Sequence, residues 1–326
     1  MITIAIKDFA KKKICDGHLY LKTKEGRRFY VLKPGILIDP AFIKKHASMN
    51  STFEYEPLAD QVVVQKFVTL FRELKYLQFE KDLRLKSGEI LQYFMSVHSN
   101  GGHYLSFVLA CYQEFCNIPQ ETLLKMHDTE IHYFRKIIYS GAFSILLGLA
   151  NDFYHYPMLK DFFNITMMLD YGICDTNYSY FVAQACNQEN LNPGSGKNWL
   201  VEQKASDLEK TVFQKHPEKS YEFVKMNKDI LSHPELAEII LYQHELSSGN
   251  GFPRGIPKEL VSSWEAVVLL ADSLVDIRDE YHFETTVVDY LHNYQNKKMQ
   301  ELPVAKAFHK LTLALRFFDE MKDTGT

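Results

Sequence analysis

Apolar and polar residues alternate in the first fifty or so positions, and this alternation is typical of β-strands. Residues 18–23 and 28–33 each alternate, and the turn-forming residues 24–27 lie between them. These segments predict a β-hairpin, while residues 36–46 predict a short strand followed by a helical turn. Because an isolated hairpin is only marginally stable in water, this N-terminal module, residues 1–57, must pack on another part of the chain. Its lysines and arginines form a solvated face or, alternatively, a ligand-binding patch.

After residue 58 the apolar positions recur every three or four residues, which is the spacing of amphipathic helices. Helical patterns cover residues 59–77, 88–97, 104–115 and 119–139, with one break at Asn100-Gly101-Gly102. We therefore predict a mostly α protein in which linking helices, residues 58–129, join the module to a helical domain at residues 130–326. The apolar faces of the linking helices form either core or a homodimer face.

A turn-rich stretch interrupts the helical domain at residues 187–197. It contains Pro193-Gly194-Ser195-Gly196, and this composition predicts an exposed, mobile loop. The glycines do not indicate a phosphate-binding loop, because the preceding strand and the Gly-Lys-Ser/Thr ending that such a loop needs are missing.

Composition narrows the class of protein without identifying it. The 326 residues are 46% hydrophobic and 24% charged, and the net charge of -4 gives no reason to expect a nucleic acid polymer as partner. The five cysteines are an odd number without a CxxC pair, which indicates reduced thiols packed as small hydrophobic groups. The first residues do not resemble a signal peptide and no apolar run could cross a bilayer, so we expect a cytoplasmic protein without a membrane segment.

Two aspartates occur in strongly apolar helical surroundings. Asp170 follows the apolar segment 162–169, and Asp272 lies inside the apolar segment 267–275. A carboxylate in such a place is costly unless it meets a cation, a metal or several hydrogen-bond donors. His244 lies on the buried side of the helix that it ends, and a mixed set of His and carboxylate ligands suits iron or manganese. Taken singly, each Asp has the alternative of a helix cap or a buried hydrogen-bonded group, and His244 that of a partner of the helix dipole.

The residues that follow His244 carry a motif. At residues 243–255 the chain resembles the HD-GYP family, bacterial phosphodiesterases that act on cyclic di-GMP. The family pattern His-His-Glu-x-x-Asp-Gly-x-Gly-Tyr-Pro-x-Gly aligns without a gap to Gln243, His244, Glu245, Ser248, Gly249, Gly251, Phe252, Pro253 and Gly255. Asp272 then stands where the family places a metal-ligating Asp. Upstream, His216-Pro217 resembles the family's His-Pro segment, and residues 169–173 resemble its His-Asp-Ile-Gly-Lys segment.

The resemblance implies an HD-type helical bundle with Asp170, His216, His244 and Asp272 as metal ligands. Active members of the family use two or three metals to bind the phosphate and to activate the attacking water. Four ligand-type residues imply at most one divalent metal, iron or manganese, held chiefly by the first three. The loop Gly249–Gly255 is where we expect a protein partner to bind.

Several positions depart from the family pattern. Leu169 replaces the metal-binding His of the HD pair, and Ile173 replaces the catalytic Lys. Gln243 replaces the first His of the double-histidine pair, and Tyr139 stands near an early His position. In the loop, Ser248 replaces the Asp and Phe252 replaces the Tyr. The loss of the lysine removes a positive group that would stabilise charge on the phosphate in the transition state. Gln243, Arg254 and Arg278 remain as candidate contacts for cyclic di-GMP, although Arg278 is out of register with the family's arginines.

These substitutions leave two functional hypotheses. The first is a degenerate HD-GYP-like signalling protein that acts by binding a ligand or a protein, with little or no hydrolysis; in it, Phe252 faces the partner. The second is an active phosphodiesterase or phosphohydrolase with a reduced metal centre. A helical scaffold unrelated to the family is the remaining alternative.

Overall fold

The N-terminal module is built on a four-stranded antiparallel sheet with the order β1-β4-β2-β3. The computed structural model describes residues 1–22, 26–48, 52–99, 104–175, 179–246, 248–257, 261–275 and 302–323. The strands are β1 (Ile2–Ala5), β2 (Gly17–Lys22), β3 (Arg28–Leu32) and β4 (Thr52–Pro57). β2 and β3 form the predicted hairpin, whereas β1 and β4 were not predicted. Helices α1 (Ile6–Phe9) and α2 (Pro40–Ser48) accompany the sheet, and Phe9, Leu19 and Phe53 lie in its core.

Asp16 connects the module to the helices. Its main-chain oxygen accepts hydrogen bonds from the N–H groups of Leu58 (3.1 Å) and Ala59 (3.0 Å). Its buried carboxylate accepts a hydrogen bond from Gln61 Nε2 (2.8 Å) and contacts the side chains of Lys12 and Tyr55. The module is therefore held to the start of the first linking helix by paired polar groups.

The described residues beyond the module are mostly helical, which confirms the mostly α fold class. The longer helices are α3 (Gln61–Tyr76), α4 (Glu80–Ser99), α5 (Tyr104–Phe115), α6 (Gln120–Thr129), α7 (Ile131–Ala150), α8 (Tyr156–Met168), α9 (Ser179–Leu191), α10 (Gly196–Glu202), α11 (Asp207–Met226), α12 (Glu238–Tyr242), α13 (Ser263–Ser273) and α14 (Leu302–Asp323). Short 3₁₀ turns occur at Tyr171–Asp175 and Pro234–Ala237.

Helix α7 lies at the centre of the helical part. Every residue from Tyr133 to Leu149 is buried, and the helix packs against α5, α6, α8, α13 and α14. One continuous hydrophobic core extends from the linking helices into the C-terminal helices. The division at residues 57 and 129 stays a prediction.

Two sequence predictions about the helical part were wrong. The pattern over residues 119–139 is not one helix, because Glu130 separates α6 from α7 and its carboxylate accepts a hydrogen bond from the N–H of His132 (3.2 Å). The stretch 187–197 is not an exposed loop: most of it belongs to α9 and α10. The buried carboxylate of Glu189 accepts the N–H groups of Gly194 (2.6 Å) and Gly196 (3.0 Å), which folds the turn against the protein.

Among the residues that the structure describes, no helix combines the length and the apolar character needed to span a bilayer.

Candidate metal centre

Three of the predicted ligands come together from three different elements. Asp170 follows the C-terminal end of α8, His216 lies within α11, and His244 lies just after α12. All three side chains are fully buried. One potential ligand atom from each residue lies within 4.8 Å of the others.

The 3₁₀ turn Tyr171–Asp175 brings Asp170 to α11. The N–H of Gly172 donates a hydrogen bond of 2.7 Å to Ser220 Oγ on α11. A Cβ at Gly172 would lie 2.2 Å from the main-chain oxygen of His216, so only glycine permits this close approach. The turn and α11 are thus in direct backbone contact at the position of His216.

The atoms that converge are all potential metal ligands. His216 Nε2 lies 2.9 Å from Asp170 Oδ1 and 3.2 Å from His244 Nε2, and His244 Nε2 lies 3.8 Å from Asp170 Oδ1. No residue in the described part of the chain makes a well-aligned hydrogen bond to Asp170 Oδ1, although this oxygen is buried. A buried carboxylate oxygen in this position needs a hydrogen-bond donor or a positive charge, which a ring N–H of a neighbouring histidine or a bound cation can supply.

The ring of His216 is oriented by its other nitrogen. Nδ1 lies 2.6 Å from the carbonyl oxygen of Phe213. Because a carbonyl oxygen only accepts, Nδ1 carries the hydrogen, and Nε2 is the ring atom that faces the cluster. The amide nitrogen of Gln243 lies 3.3 Å from this Nε2 and donates to the carbonyl of Leu169 at 2.9 Å. Gln243 therefore supports the cluster from its inner side and is itself buried.

Asp170 is held in its charged form. Burial alone would raise the pKa of this carboxyl, but the neighbouring imidazoles of His216 and His244 and the positive charge of Lys136 hold it well below its usual range. The hydroxyl of Tyr133 donates a hydrogen bond of 2.6 Å to the other carboxylate oxygen, Oδ2. Tyr133 thereby satisfies one oxygen and leaves Oδ1 directed at the imidazoles.

The donor set fits a divalent metal. One carboxylate oxygen and two imidazole nitrogens form a mixed set of the kind that iron, manganese or zinc accepts, and the hydrogen bond at His216 Nδ1 is the usual outer support for such a ligand. Asp170, His216 and His244 would hold the ion. Metal binding by these residues stays a prediction.

Asp272, the fourth predicted ligand, does not join this group. Its Oδ1 lies 2.7 Å from Nζ of Lys136, and both side chains are buried. Burial would lower the pKa of Lys136, but the negative charges of Asp272 and Asp170 outweigh it and raise the pKa, so the group is an ammonium ion. A cation from α7 thus neutralises the carboxylate of α13 beside the cluster.

The loop Gly249–Gly255 is fixed by Glu245. The buried carboxylate of Glu245 accepts the N–H groups of Arg254 (2.7 Å) and Ile256 (3.0 Å). Gly249 and Gly255 adopt positive φ angles of 73° and 63°, a conformation that favours glycine. Gly251 passes so close to the chain at His244 that a Cβ would lie 2.3 Å from the His244 oxygen.

Phe252 covers the cluster. Its N–H donates to the main-chain oxygen of His244 (3.1 Å), and its ring stacks on the His244 ring with centroids 4.5 Å apart. The ring also packs on Phe213 at 4.7 Å. The half-buried Phe252 ring is thus directed inward, whereas the hypothesis of a partner contact has it facing outward. The next residue, Pro253, follows a cis peptide bond and is half-buried.

The remaining candidates for ligand contact differ in position. Arg254 is exposed on the loop, and Arg278 lies outside the described residues. Leu169 and Ile173, which replace a ligand and the catalytic lysine of the family pattern, are buried in the hydrophobic core. Tyr139 packs against Tyr104, while Tyr133 and Lys136 are the residues of α7 that reach the buried carboxylates.

Sequence reasoning missed Lys136, Tyr133 and the anchoring role of Glu245. A signal for Lys136 existed, because it is a charged residue inside a long apolar helix, the same criterion that indicated Asp272. No comparable signal marks Tyr133, since tyrosine is common in apolar helices.

Comparison with known proteins gives no family assignment. No family model matches the chain, and no curated protein matches it. The chain is similar to a solved structure described as an HDG"Y"P protein from Bdellovibrio bacteriovorus, with 14% sequence identity over 97% of this chain and 99% of that chain and a TM-score of 0.37. Both the identity and the TM-score are too low to transfer a site or an activity.

Proposed function

We propose that this chain is a degenerate HD-GYP-like signalling protein with a single buried metal site and little or no phosphodiesterase activity. It acts through binding of cyclic di-GMP or of a protein at the loop Gly249–Gly255. The ungapped resemblance at residues 243–255 supports the kinship. The convergence of Asp170, His216 and His244 supports the metal site.

The observation that carries the proposal is the pairing of Asp272 with Lys136. Asp170 and Asp272 bring two negative charges into the buried region, and the ammonium of Lys136 offsets one of them. One divalent ion at the three-residue cluster would offset the remainder and leave a single positive charge. A second divalent ion would add further unbalanced positive charge without water to screen it, which is unfavourable.

The surroundings of the cluster oppose hydrolysis. Asp170, His216 and His244 have no exposed surface, and the ring of Phe252 lies on His244. When bound, a divalent metal supplies Lewis-acid polarisation and lowers the pKa of a coordinated water. The residues of this chain exclude solvent from that position, and the apolar Ile173 offers no charge to a phosphate there.

The active-enzyme alternative has one observation in its favour. Three protein ligands leave coordination positions open, as catalytic metal sites do. For this alternative to hold, Phe252 and the loop would have to move away from His244 when substrate binds.

Metal content and turnover, measured on the same purified chain, test the proposal. We expect about one iron or manganese per chain after loading, by elemental mass spectrometry, with loss of that ion in His216→Ala. His155→Ala is the matched control, because His155 is exposed and lies outside the cluster. Cyclic di-GMP hydrolysis should stay at the level of a metal-free blank.

The possible outcomes separate the alternatives. Two or more metals per chain, with turnover that His244→Ala abolishes, would establish an enzyme. If the protein contained no metal but still bound cyclic di-GMP, the proposed metal site would be wrong and the proposed binding function would stand. Because Arg254 is the exposed cation of the loop, Arg254→Ala should weaken cyclic di-GMP binding, measured by titration calorimetry, and leave the metal content unchanged.

A further inference from the structure

A cavity of about 1050 Å³ opens between the N-terminal module and the linking helices, and none of its lining residues belongs to the metal cluster. Ile14 and Leu37 contribute apolar surface from the module, and Val64, Leu109 and Leu123 contribute it from the helices. The volume is at the upper end of that of small-molecule sites, which are mostly apolar with a few placed polar groups.

The charge around this cavity is positive, although the chain carries a net charge of -4. Lys11, Lys12, Lys13 and Lys44 line it, and Asp16 is the acidic residue among the lining residues. The carboxylate of Asp16 is already engaged by Lys12, Tyr55 and Gln61. The acidic residue therefore compensates one lysine and leaves an excess of positive charge at the cavity.

Lys13 and Lys44 are the cations available to a ligand. Both are exposed, and neither forms an ion pair within the described part of the chain. Lys11, in contrast, lies 3.4 Å from the carboxylate of Asp8. Two uncompensated ammonium groups beside an apolar floor are complementary to a molecule that has an anionic head and an apolar body.

We propose that this cavity binds a small amphipathic anion, with a carboxylate or phosphate head at Lys13 and Lys44 and an apolar chain against Val64, Leu109 and Leu123. Such a ligand would contact the module and the helices at once. It would therefore stabilise the junction that Asp16 already holds, and its binding gives the N-terminal module a sensing role independent of the metal cluster.

Titration calorimetry with three ten-carbon compounds tests the site on the full chain. Decanoate and decyl phosphate carry the anionic heads, and decanol is the neutral compound of the same chain length, each used below the concentration at which it forms micelles. We expect at least one anion to bind about tenfold more tightly than decanol. The tighter of the two anions identifies whether the head is a carboxylate or a phosphate.

Variants then locate the binding. The double variant Lys13→Gln and Lys44→Gln should weaken anion binding about tenfold and bring it close to that of decanol. The control is Lys66→Gln with Lys81→Gln, which removes two exposed lysines that do not line the cavity. Leu109→Trp fills the apolar part and should abolish binding of both anions and decanol while the circular dichroism spectrum stays unchanged.

Three results with the compounds and the lysine variants would overturn the proposal, and one further result with Leu109→Trp would do the same. The three are binding of decanol as tight as that of the anions, equal loss of binding in the two lysine double variants, and absence of binding by all three compounds. Retained binding in a correctly folded Leu109→Trp variant would place the ligand elsewhere and would equally reject this cavity.

Discussion

The ammonium of Lys136 sits in an environment that normally excludes charge. Its side chain has no exposed surface, and its Nζ lies 2.7 Å from the buried Asp272. Burial of such a pair costs desolvation energy, so the pair is weak evidence of net stabilisation. Removal of one partner alone is different, because it leaves an unpaired charge away from water.

Lys136→Met should therefore destabilise the protein strongly. We expect a loss of about 3–5 kcal/mol in the free energy of unfolding, from urea denaturation followed by circular dichroism. Adding Asp272→Leu to Lys136→Met should recover most of that loss, because the orphaned carboxylate is then removed as well.

An exposed lysine provides the control for this effect. Lys210 lies 3.4 Å from Asp207 on the surface of α11, and Lys210→Met should change the stability by less than about 0.5 kcal/mol. Equal effects of the two Lys→Met changes would mean that the Lys136 pair is solvated.

The ring of Phe252 should protect the metal cluster. Phe252→Ala removes half-buried surface from His244 and Phe213, and we expect a loss of about 1–3 kcal/mol in unfolding free energy. Bound metal should also be lost to EDTA faster, as followed by elemental analysis after gel filtration.

Phe79→Ala is the matched change at an exposed phenylalanine, 72% accessible, and should have little effect on either measurement. If Phe252→Ala kept the stability and the metal of the unchanged protein but lost a binding partner, the ring would face outward in solution.

The residues of the cluster could be predicted where a polar side chain interrupts an apolar segment or where a family motif indicates it. Asp170 and His244 stand out as polar groups in apolar helices, and His216 was found through its resemblance to a family segment. The pairing of Asp272 was not predictable, because its partner Lys136 lies on a helix far away in sequence. Only the packing of α7 against α13 brings the two charges together.

At the scale of elements, the contact between the turn Tyr171–Asp175 and α11 sets how closely Asp170 approaches His216. Gly172→Ala would place a methyl group 2.2 Å from the His216 oxygen and 2.8 Å from its Cα. Because backbone on both sides must shift, we expect a stability loss of about 1–3 kcal/mol, by urea denaturation, together with weaker metal binding.

Gly88→Ala should change the stability in the opposite direction to Gly172→Ala. Gly88 lies within α4, and a Cβ there would meet nothing within 4 Å. Replacement by alanine should raise the stability by about 0.5–1 kcal/mol, because glycine has a poor helix propensity. A similar destabilisation at both positions would show that the turn does not press on α11.

Local patterns predicted helices better than they predicted turns and strands. The spacing of apolar residues correctly indicated α3 and α5. Strand β4 was not predicted, although Phe53 and Tyr55 alternate with polar residues, because alternation over so few residues is a weak signal. The prediction of an exposed loop at 187–197 was wrong because its glycines and proline suggest solvent exposure. Glu189 accepts hydrogen bonds from two N–H groups of this stretch, but nothing in the sequence indicates that its carboxylate is buried.

For the molecule as a whole, the buried thiols predict how stability responds to alkaline pH. Burial raises the pKa of Cys15 from 9.0 to about 12, and it raises the pKa values of Cys111 and Cys186 as well. The folded state therefore keeps these thiols protonated, and their contribution to the free energy of unfolding is fully present below pH 9. It is lost as the pH rises from 9 toward 12, because the unfolded chain releases the protons first.

Urea midpoints measured at pH 8, 9 and 10.5 would show this decline. Each such thiol should contribute a slope of up to about 1.4 kcal/mol per pH unit above pH 9. Cys15→Ala should have a shallower decline than the unchanged protein over the same interval and the same slope between pH 8 and 9. Parallel declines above pH 9 would mean that Cys15 ionises freely in the folded state.

The pair formed by Lys136 and Asp272 also limits how α7 and α13 can align. The residues of α13 around Asp272 are mostly apolar, and apolar contacts are non-directional. A slide of one helical turn, about 5.4 Å, would separate the two charges and leave both in hydrocarbon surroundings. The ion pair thus disfavours neighbouring registers of α13 on α7. A double replacement of Lys136 and Asp272 by apolar residues should therefore fold stably but lose the preference for this one register.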